Sequence, residues 1–181
     1  MLITLIPQPC ISYEVNVHET ISEHAMSSSN VKSYMLNNLG VSSEDTFKAD
    51  MIFSKTAIEW IKAGSNWEDN TFDGLSLVAR YLNHFFDPTT GMGLHDEFTS
   101  KPSKQWGYLD LGNGFSWRWA RSKYYTALAD SDPNLRAKAF AHVFRSLGQI
   151  MHLVHDKAVP AHVRNDAHNP FANYFVQQRY V

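Results

Sequence analysis

The stretch Asp132–Lys157, "DPNLRAKAFAHVFRSLGQIMHLVHDK", carries the strongest periodicity in the chain. Asp132 suits the cap of a helix. Pro133 suits its first position, where a missing N–H costs nothing and φ is already helical. Phe140, Val143, Phe144, Leu147, Met151 and Val154 then recur at spacings of three and four, which lays one apolar stripe along a helix over Pro133–Lys157. Arg145, Gln149, His152 and Asp156 fall on another face, roughly 120 to 160° round from that stripe at 100° per residue.

Outward from this element, helical spacing continues to dominate and strand alternation is scarce. Helices are expected over Glu19–Ser28, Val31–Asn38, Ser54–Ala63, Gly74–Phe86 and Phe115–Ala129, with a weaker one after Pro170. The stretch Asp87–Gly114 is punctuated by Pro88, Gly91, Gly93, Pro102, Gly107, Gly112 and Gly114 and reads as a long irregular loop. Loops of that length inside a compact domain are usually functional or disordered. The expected fold class is all-α, a compact multi-helix single domain. With 181 residues, 44% of them hydrophobic, the chain can bury one substantial core.

A formal net charge of −2 and a pI near 6.5 exclude a broadly basic surface. Bulk electrostatic attraction to nucleic acid or anionic membrane is therefore not expected, although a local basic groove is compatible with these values. Cys10 is the one cysteine, so no intrachain disulfide can form. The opening "MLITLIPQPC" reads either as the tail of a secretory h-region or as a buried first strand or arm. On that basis residues 1–12 are an apolar N-terminal segment and 13–181 the helical domain. No segment reaches the roughly 18 apolar residues of a membrane span.

His152 and Asp156 stand four residues apart and project from the same face of the long helix. One reading is a solvated polar pair. Pro160 ends the helix soon afterwards, and a turn can return His162 beside the helix end, where imidazole and carboxylate together could occupy three corners of a zinc tetrahedron. Elsewhere "NHFFDPTTGMGL" places His84 near a helix end, "GSNWEDN" offers Asp69 in a loop, and "NVHETISEHA" puts His18 at a helix start. The ordinary roles of these three would be a satisfied core histidine, a turn former and a cap.

The order His18-x-x-Ile21, Asp69, "HFFDP" and "H-x-x-x-D-x-x-x-P-x-H" resembles the zinc-dependent phospholipase C family, whose superfamily also holds zinc-dependent single-strand nucleases. The likeness spans about Tyr13 to Asn169 in widely spaced blocks. Its two histidine-rich blocks are the specific ones, and "D-x-x-V-P-x-H" with "HFFDP" is closer to phospholipase C than to the nucleases. The resemblance implies a phospholipase C/nuclease-type helical fold and two or three zinc ions. His84, His152 and Asp156 would ligate one zinc, with Asp69 as a further ligand or general base. Asp156 would bridge to a neighbouring zinc held in part by His18, while His162 and His168 would serve another position. In the family a carboxylate follows in His-x-x-x-Glu, and here Ala172 stands at that place, so this position would be weak, empty, or completed by Asp166 or water. The family's N-terminal tryptophan has no counterpart, and the chain stops at Val181, earlier than family domains do, as a truncated or divergent member would.

The implied activity is hydrolysis of phosphodiester bonds by metal-activated water, most closely phospholipase C-like, in a secreted or periplasmic protein. Its partner would be a phospholipid head group, with peripheral membrane contact. A nuclease on the same scaffold, or a catalytically silent metal-binding module, is the alternative. Asn83, Asp87, His155 and Asn165 are candidates to support the ligands, and Arg164 to pair with phosphate. Trp67, Trp106, Tyr108, Phe115, Trp117 and Trp119 would line a pocket or pack the core.

Overall fold

The structure is a computed structural model and describes residues 15–50, 53–69, 80–94 and 100–165. Residues 1–12, the 74–79 part of the expected fourth helix, Asp166, His168, Ala172 and the expected helix after Pro170 lie outside them. The described residues are mostly helical: α1 (Val15–Ser28), α2 (Val31–Tyr34), α3 (Ala57–Trp67), α4 (Ser103–Tyr108), α5 (Trp117–Ala129), α6 (Pro133–His155) and α7 (Pro160–Val163). A short antiparallel hairpin, β1 (Thr46–Asp50) and β2 (Phe53–Thr56), accompanies them, with Phe47 opposite Lys55.

The long helix forms as its sequence requires. Asp132 caps it by accepting from the Asn134 N–H at 2.8 Å, and Pro133 opens it. It ends at His155, short of Lys157, and the chain tightens into a 3₁₀ turn over Asp156–Ala158. Pro160 then starts α7 at its first position, which brings His162 back toward the end of α6.

Four expectations change. The expected helix over Ser54–Ala63 is a strand as far as Thr56, after which a capping box of Thr56 and Glu59 starts α3 and carries it on to Trp67. Within the expected loop Asp87–Gly114 there is a helix, α4, too short for its periodicity to show in sequence. Val154, read as part of the core stripe, is 63% exposed, and its neighbour Leu153 is buried instead. The expected Val31–Asn38 helix continues as a π turn over Met35–Leu39, closed by Gly40 in the left-handed region at φ 64.

The core sits where α3, α5, α6 and the hairpin meet. Trp60, Ile61, Phe140, Phe144 and Phe47 fill it, and the buried Trp60 indole donates to the Phe47 carbonyl at 2.8 Å. Phe47 meets both Phe140 and Phe144 at 5.4 Å between ring centroids.

α3 and α6 cross with almost nothing between their backbones. A Cβ added at Gly64 would lie 2.1 Å from the Arg145 carbonyl oxygen, and one at Gly148 2.0 Å from that of Ile61. Only glycine permits this approach. Gly148→Ala is therefore expected to separate the helices and destabilise the fold by about 3 kcal/mol, the upper end for overpacking because the obstacle is backbone. Urea unfolding followed by circular dichroism measures it, and a loss below about 0.5 kcal/mol would show that the crossing tolerates a methyl group.

Burial of His142 gives a second expectation. Its ring stacks on Phe115 at 4.7 Å, and burial, with Lys123 and Arg145 nearby, lowers its pKa from 6.5 to about 4. The unfolded chain then binds a proton here at a higher pH than the folded chain does. The contribution is whole above pH 6.5 and is lost as pH falls from 6.5 toward 4. His142→Gln should flatten that loss relative to the parent chain in denaturant titrations across the window; parallel curves would place the acid sensitivity elsewhere.

Candidate metal centre

The polar face of α6 points inward. Gln149, His152 and Asp156 are all buried, so the reading of this face as a solvated stripe does not hold. Arg145, also on that face, lies over the rings of Phe115 at 3.8 Å and Trp67 at 4.5 Å. Around Asp156 the fold gathers His18 from α1, Asp69 from just beyond α3, His84 from a 3₁₀ turn over Tyr81–His84, His152 from α6 and His162 from α7. Six of the seven residues singled out in the sequence thus meet in space; the seventh, His168, lies outside the described residues.

The Asp156 carboxylate divides the imidazoles into two pairs. Its Oδ2 lies 3.1 Å from His84 Nδ1 and 3.4 Å from His152 Nε2, and its Oδ1 lies 3.1 Å from His162 Nδ1 and 3.6 Å from His18 Nε2. Asp69 Oδ1 joins the first pair, 3.4 Å from His84 Nδ1 and 3.5 Å from His152 Nε2. Burial is nearly complete; of the six side chains only Asp69, at 29%, has appreciable exposure.

These contacts are close but do not satisfy the groups as hydrogen bonds. Both carboxylate oxygens of Asp156, with His152 Nε2, have no hydrogen-bond partner among the described residues. Buried polar atoms left in that state are costly, and a buried cation would satisfy them. His84, His152 and Asp156 form one group able to hold a metal ion, and His18, Asp69 and His152 another, each with ligand atoms within 4.8 Å of one another.

The electrostatics agree with a centre that strongly favours positive charge. Burial opposes the charge on Asp156, yet His152, His162 and His84 hold its carboxyl far below the ordinary carboxylate range. Asp69 is also lowered, by His152 and His84 against its burial. Burial likewise opposes a charged His152, but Asp156 and Asp69 raise it to about 10. His18, buried and stacked on His152 at 3.7 Å, is lowered to about 4. An ion taking up His152 would displace its proton.

The orientation of one imidazole is fixed by the helix crossing. His152 Nδ1 donates to the Ser65 carbonyl at 2.7 Å, which leaves Nε2 to face the cluster. Ser65 follows Gly64, so the close approach of α3 supplies this acceptor.

The sequence did not single out Ser65, nor the buried hub next to the cluster. Arg80 Nη2 donates to Glu68 Oε2 and, at 2.5 Å, to Gln149 Oε1. Glu68 Oε1 accepts from Trp106 Nε1 at 2.8 Å and stands 3.8 Å from His84 Nε2. Adjacency to Asp69 was the one available signal for Glu68.

Of the supporting residues proposed from sequence, His155 meets the cluster, its Nδ1 3.4 Å from that of His18. Asn83 instead accepts from the Lys101 N–H, Asp87 caps a turn at Thr89 and Thr90, and Asn165 sits in a turn with φ 57. Arg164 is exposed at the end of α7. Trp67, Trp106 and Phe115 pack against the arginines, Trp119 donates to the Leu111 carbonyl, and Tyr108 and Trp117 line a cavity.

No protein-family model, curated protein or solved structure matches the chain. Among the described residues no helix is long and apolar enough to cross a membrane.

Proposed function

We propose that the chain is a zinc-dependent hydrolase of phosphodiester bonds, most closely phospholipase C-like. The observation that carries this reading is the spacing of four donors, His84 Nδ1, His152 Nε2, Asp156 Oδ2 and Asp69 Oδ1. The four separations between an imidazole and a carboxylate fall between 3.1 and 3.5 Å. Ligands at roughly 2.0–2.1 Å in a tetrahedron stand about 3.4 Å apart, and these four separations match that edge length. Calcium and magnesium prefer more oxygen donors and other geometries. His18 Nε2 and His162 Nδ1 both face Asp156 Oδ1, and a second ion held there would share Asp156 with the first.

Bound zinc would make hydroxide available near neutral pH and polarise a phosphoryl oxygen. Asp156 and the imidazoles serve as a buried scaffold. Asp69, the partly exposed carboxylate, would yield the fourth position to water in the catalytic reading, orient that water and receive its proton. A phospholipid head group is the favoured substrate, with peripheral membrane contact and a secreted or periplasmic setting. The near-neutral charge speaks mildly against the nuclease alternative.

A second reading, a catalytically silent metal-binding module, is favoured by Asp69 itself. Its Oδ1 lies within 3.5 Å of both His84 and His152, and a carboxylate held as a fourth ligand is a poor base.

Protein purified without a histidine tag should contain zinc by mass spectrometry, lose thermal stability to chelator, and release phosphorylated head group from phosphatidylcholine. Absence of zinc with chelator-insensitive melting would overturn the metal reading. Cleavage of single-stranded nucleic acid would move the assignment to the nucleases, and full metallation without turnover would establish the silent module.

A further inference from the structure

His84 meets carboxylates at both of its ring nitrogens. Nδ1 stands 3.1 Å from Asp156 Oδ2 and 3.4 Å from Asp69 Oδ1, while Nε2, on the other edge of the ring, stands 3.8 Å from Glu68 Oε1. Glu68 and Asp69 are consecutive, so the chain leaving α3 sets one carboxylate on each side of a single imidazole.

The outer nitrogen is the informative one. His84 Nε2 is buried and has no hydrogen-bond partner among the described residues, and an ion held on the Nδ1 edge would leave it in that state. A buried N–H without an acceptor is costly. Glu68 Oε1 faces it and already accepts from Trp106 Nε1 at 2.8 Å, but a carboxylate oxygen has room for a second donor. A formed N–H···O bond is about 2.9–3.0 Å, so the two side chains have to close by a little under roughly 1 Å. Both ends are otherwise held. Arg80 Nη2 faces Glu68 Oε2, and on the other side Lys157 Nζ donates to the His84 carbonyl at 2.8 Å while the Phe86 N–H donates to the His162 carbonyl at 2.9 Å. With the backbone of the turn pinned in this way, the orientation of the His84 ring is left to the groups that face its nitrogens.

We propose that Glu68 is a positioning residue for the centre: its Oε1 takes the Nε2–H of His84, which fixes that tautomer and leaves Nδ1 without a proton as the donor to the ion. The inference rests on the zinc reading of the cluster. His152 is oriented by a neutral acceptor, the Ser65 carbonyl, whereas Glu68 brings a negative charge that raises the basicity of His84 Nδ1. Arg80 balances that charge from the far oxygen, where it does not compete for Nε2.

Zinc affinity of the full chain, measured by competition with a chromophoric chelator, should fall by about 10–100-fold in Glu68→Gln, the loss typical of removing an outer partner of a ligand. Trp106→Phe disturbs the same buried hub but leaves Glu68 to His84, and should keep affinity close to the parental value. Because Glu68 also balances the buried Arg80, a measurement that needs no variant accompanies these. In the zinc-loaded parent chain with ¹⁵N-labelled histidine, His84 should show a proton on Nε2 that is shifted downfield and slow to exchange with water. Parental affinity in a folded Glu68→Gln variant, an equal loss in Trp106→Phe, or a His84 Nε2 that carries the ion or exchanges its proton freely would each overturn the role of Glu68 and leave the zinc centre standing. A parent chain that takes up no zinc would overturn the zinc reading itself, and this inference with it.

Discussion

On the proposed zinc reading, Asp156→Asn should reduce zinc affinity by at least about 100-fold, the upper end of the loss caused by removing an outer partner of a ligand, because the proposed ligand itself changes. One side chain supplies two oxygens to four imidazoles, at 3.1 to 3.6 Å. Asparagine keeps the shape but removes the charge and turns one of those oxygens into an N–H donor facing the imidazoles. The fold should survive, because Asp156 caps the end of α6 through its backbone rather than through its side chain. Competition with a chromophoric chelator gives the affinity and circular dichroism the control. Parental affinity in a folded variant would remove Asp156 from the centre.

The second large effect is expected away from the ligands. Arg80→Met leaves the Glu68 carboxylate buried without the guanidinium that faces it, and strips Gln149 Oε1 of its donor. Breaking a buried pair from one side costs about 3–5 kcal/mol, mostly the penalty of the stranded charge. Against a total stability of about 5–15 kcal/mol this is a large fraction, and the melting temperature should fall by about 6–20 °C. Glu68→Gln combined with Arg80→Met should recover part of the loss, since the charge goes with its partner. A single-variant loss below about 1 kcal/mol would show that Trp106 and water suffice for Glu68.

The sequence and the structure agree best where local chemistry and tertiary packing demand the same thing. Asp132 and Pro133 mark the start of α6 unambiguously, and spacing can group His152, Asp156 and His162, while only the family resemblance adds His84 to them. Ser54, Lys55 and Thr56 read as helix in sequence because the helical pattern of α3 extends backwards into them, while pairing with Lys48, Phe47 and Thr46 is nonlocal. The polar face of α6 reads as solvated by periodicity alone, since nothing in one helix reveals that other segments bring polar partners to cover it. Arg80, Glu68 and Gln149 belong to three separate segments, and no spacing rule links them. Gly64 and Gly148 declare their importance only once the two backbones are seen in contact.

The residues that meet at Asp156 are scattered from position 18 to position 162, and His18, Asp69 and His84 come from segments remote from α6 along the chain. None of these pairings except that of His152 with Asp156 can be made within one helix. An unfolded chain would therefore offer an ion single imidazoles or a single i,i+4 pair, and the full donor set would exist only after α1, α3, α6 and α7 have docked. Every factor by which the folded chain outbinds the unfolded one then adds to the stability of the whole domain as RT ln(1 + [L]/Kd). In such an arrangement an ion acts as a clasp on the chain's topology: removing it loosens the docking of distant segments together, while the short-range helical order of α6 persists.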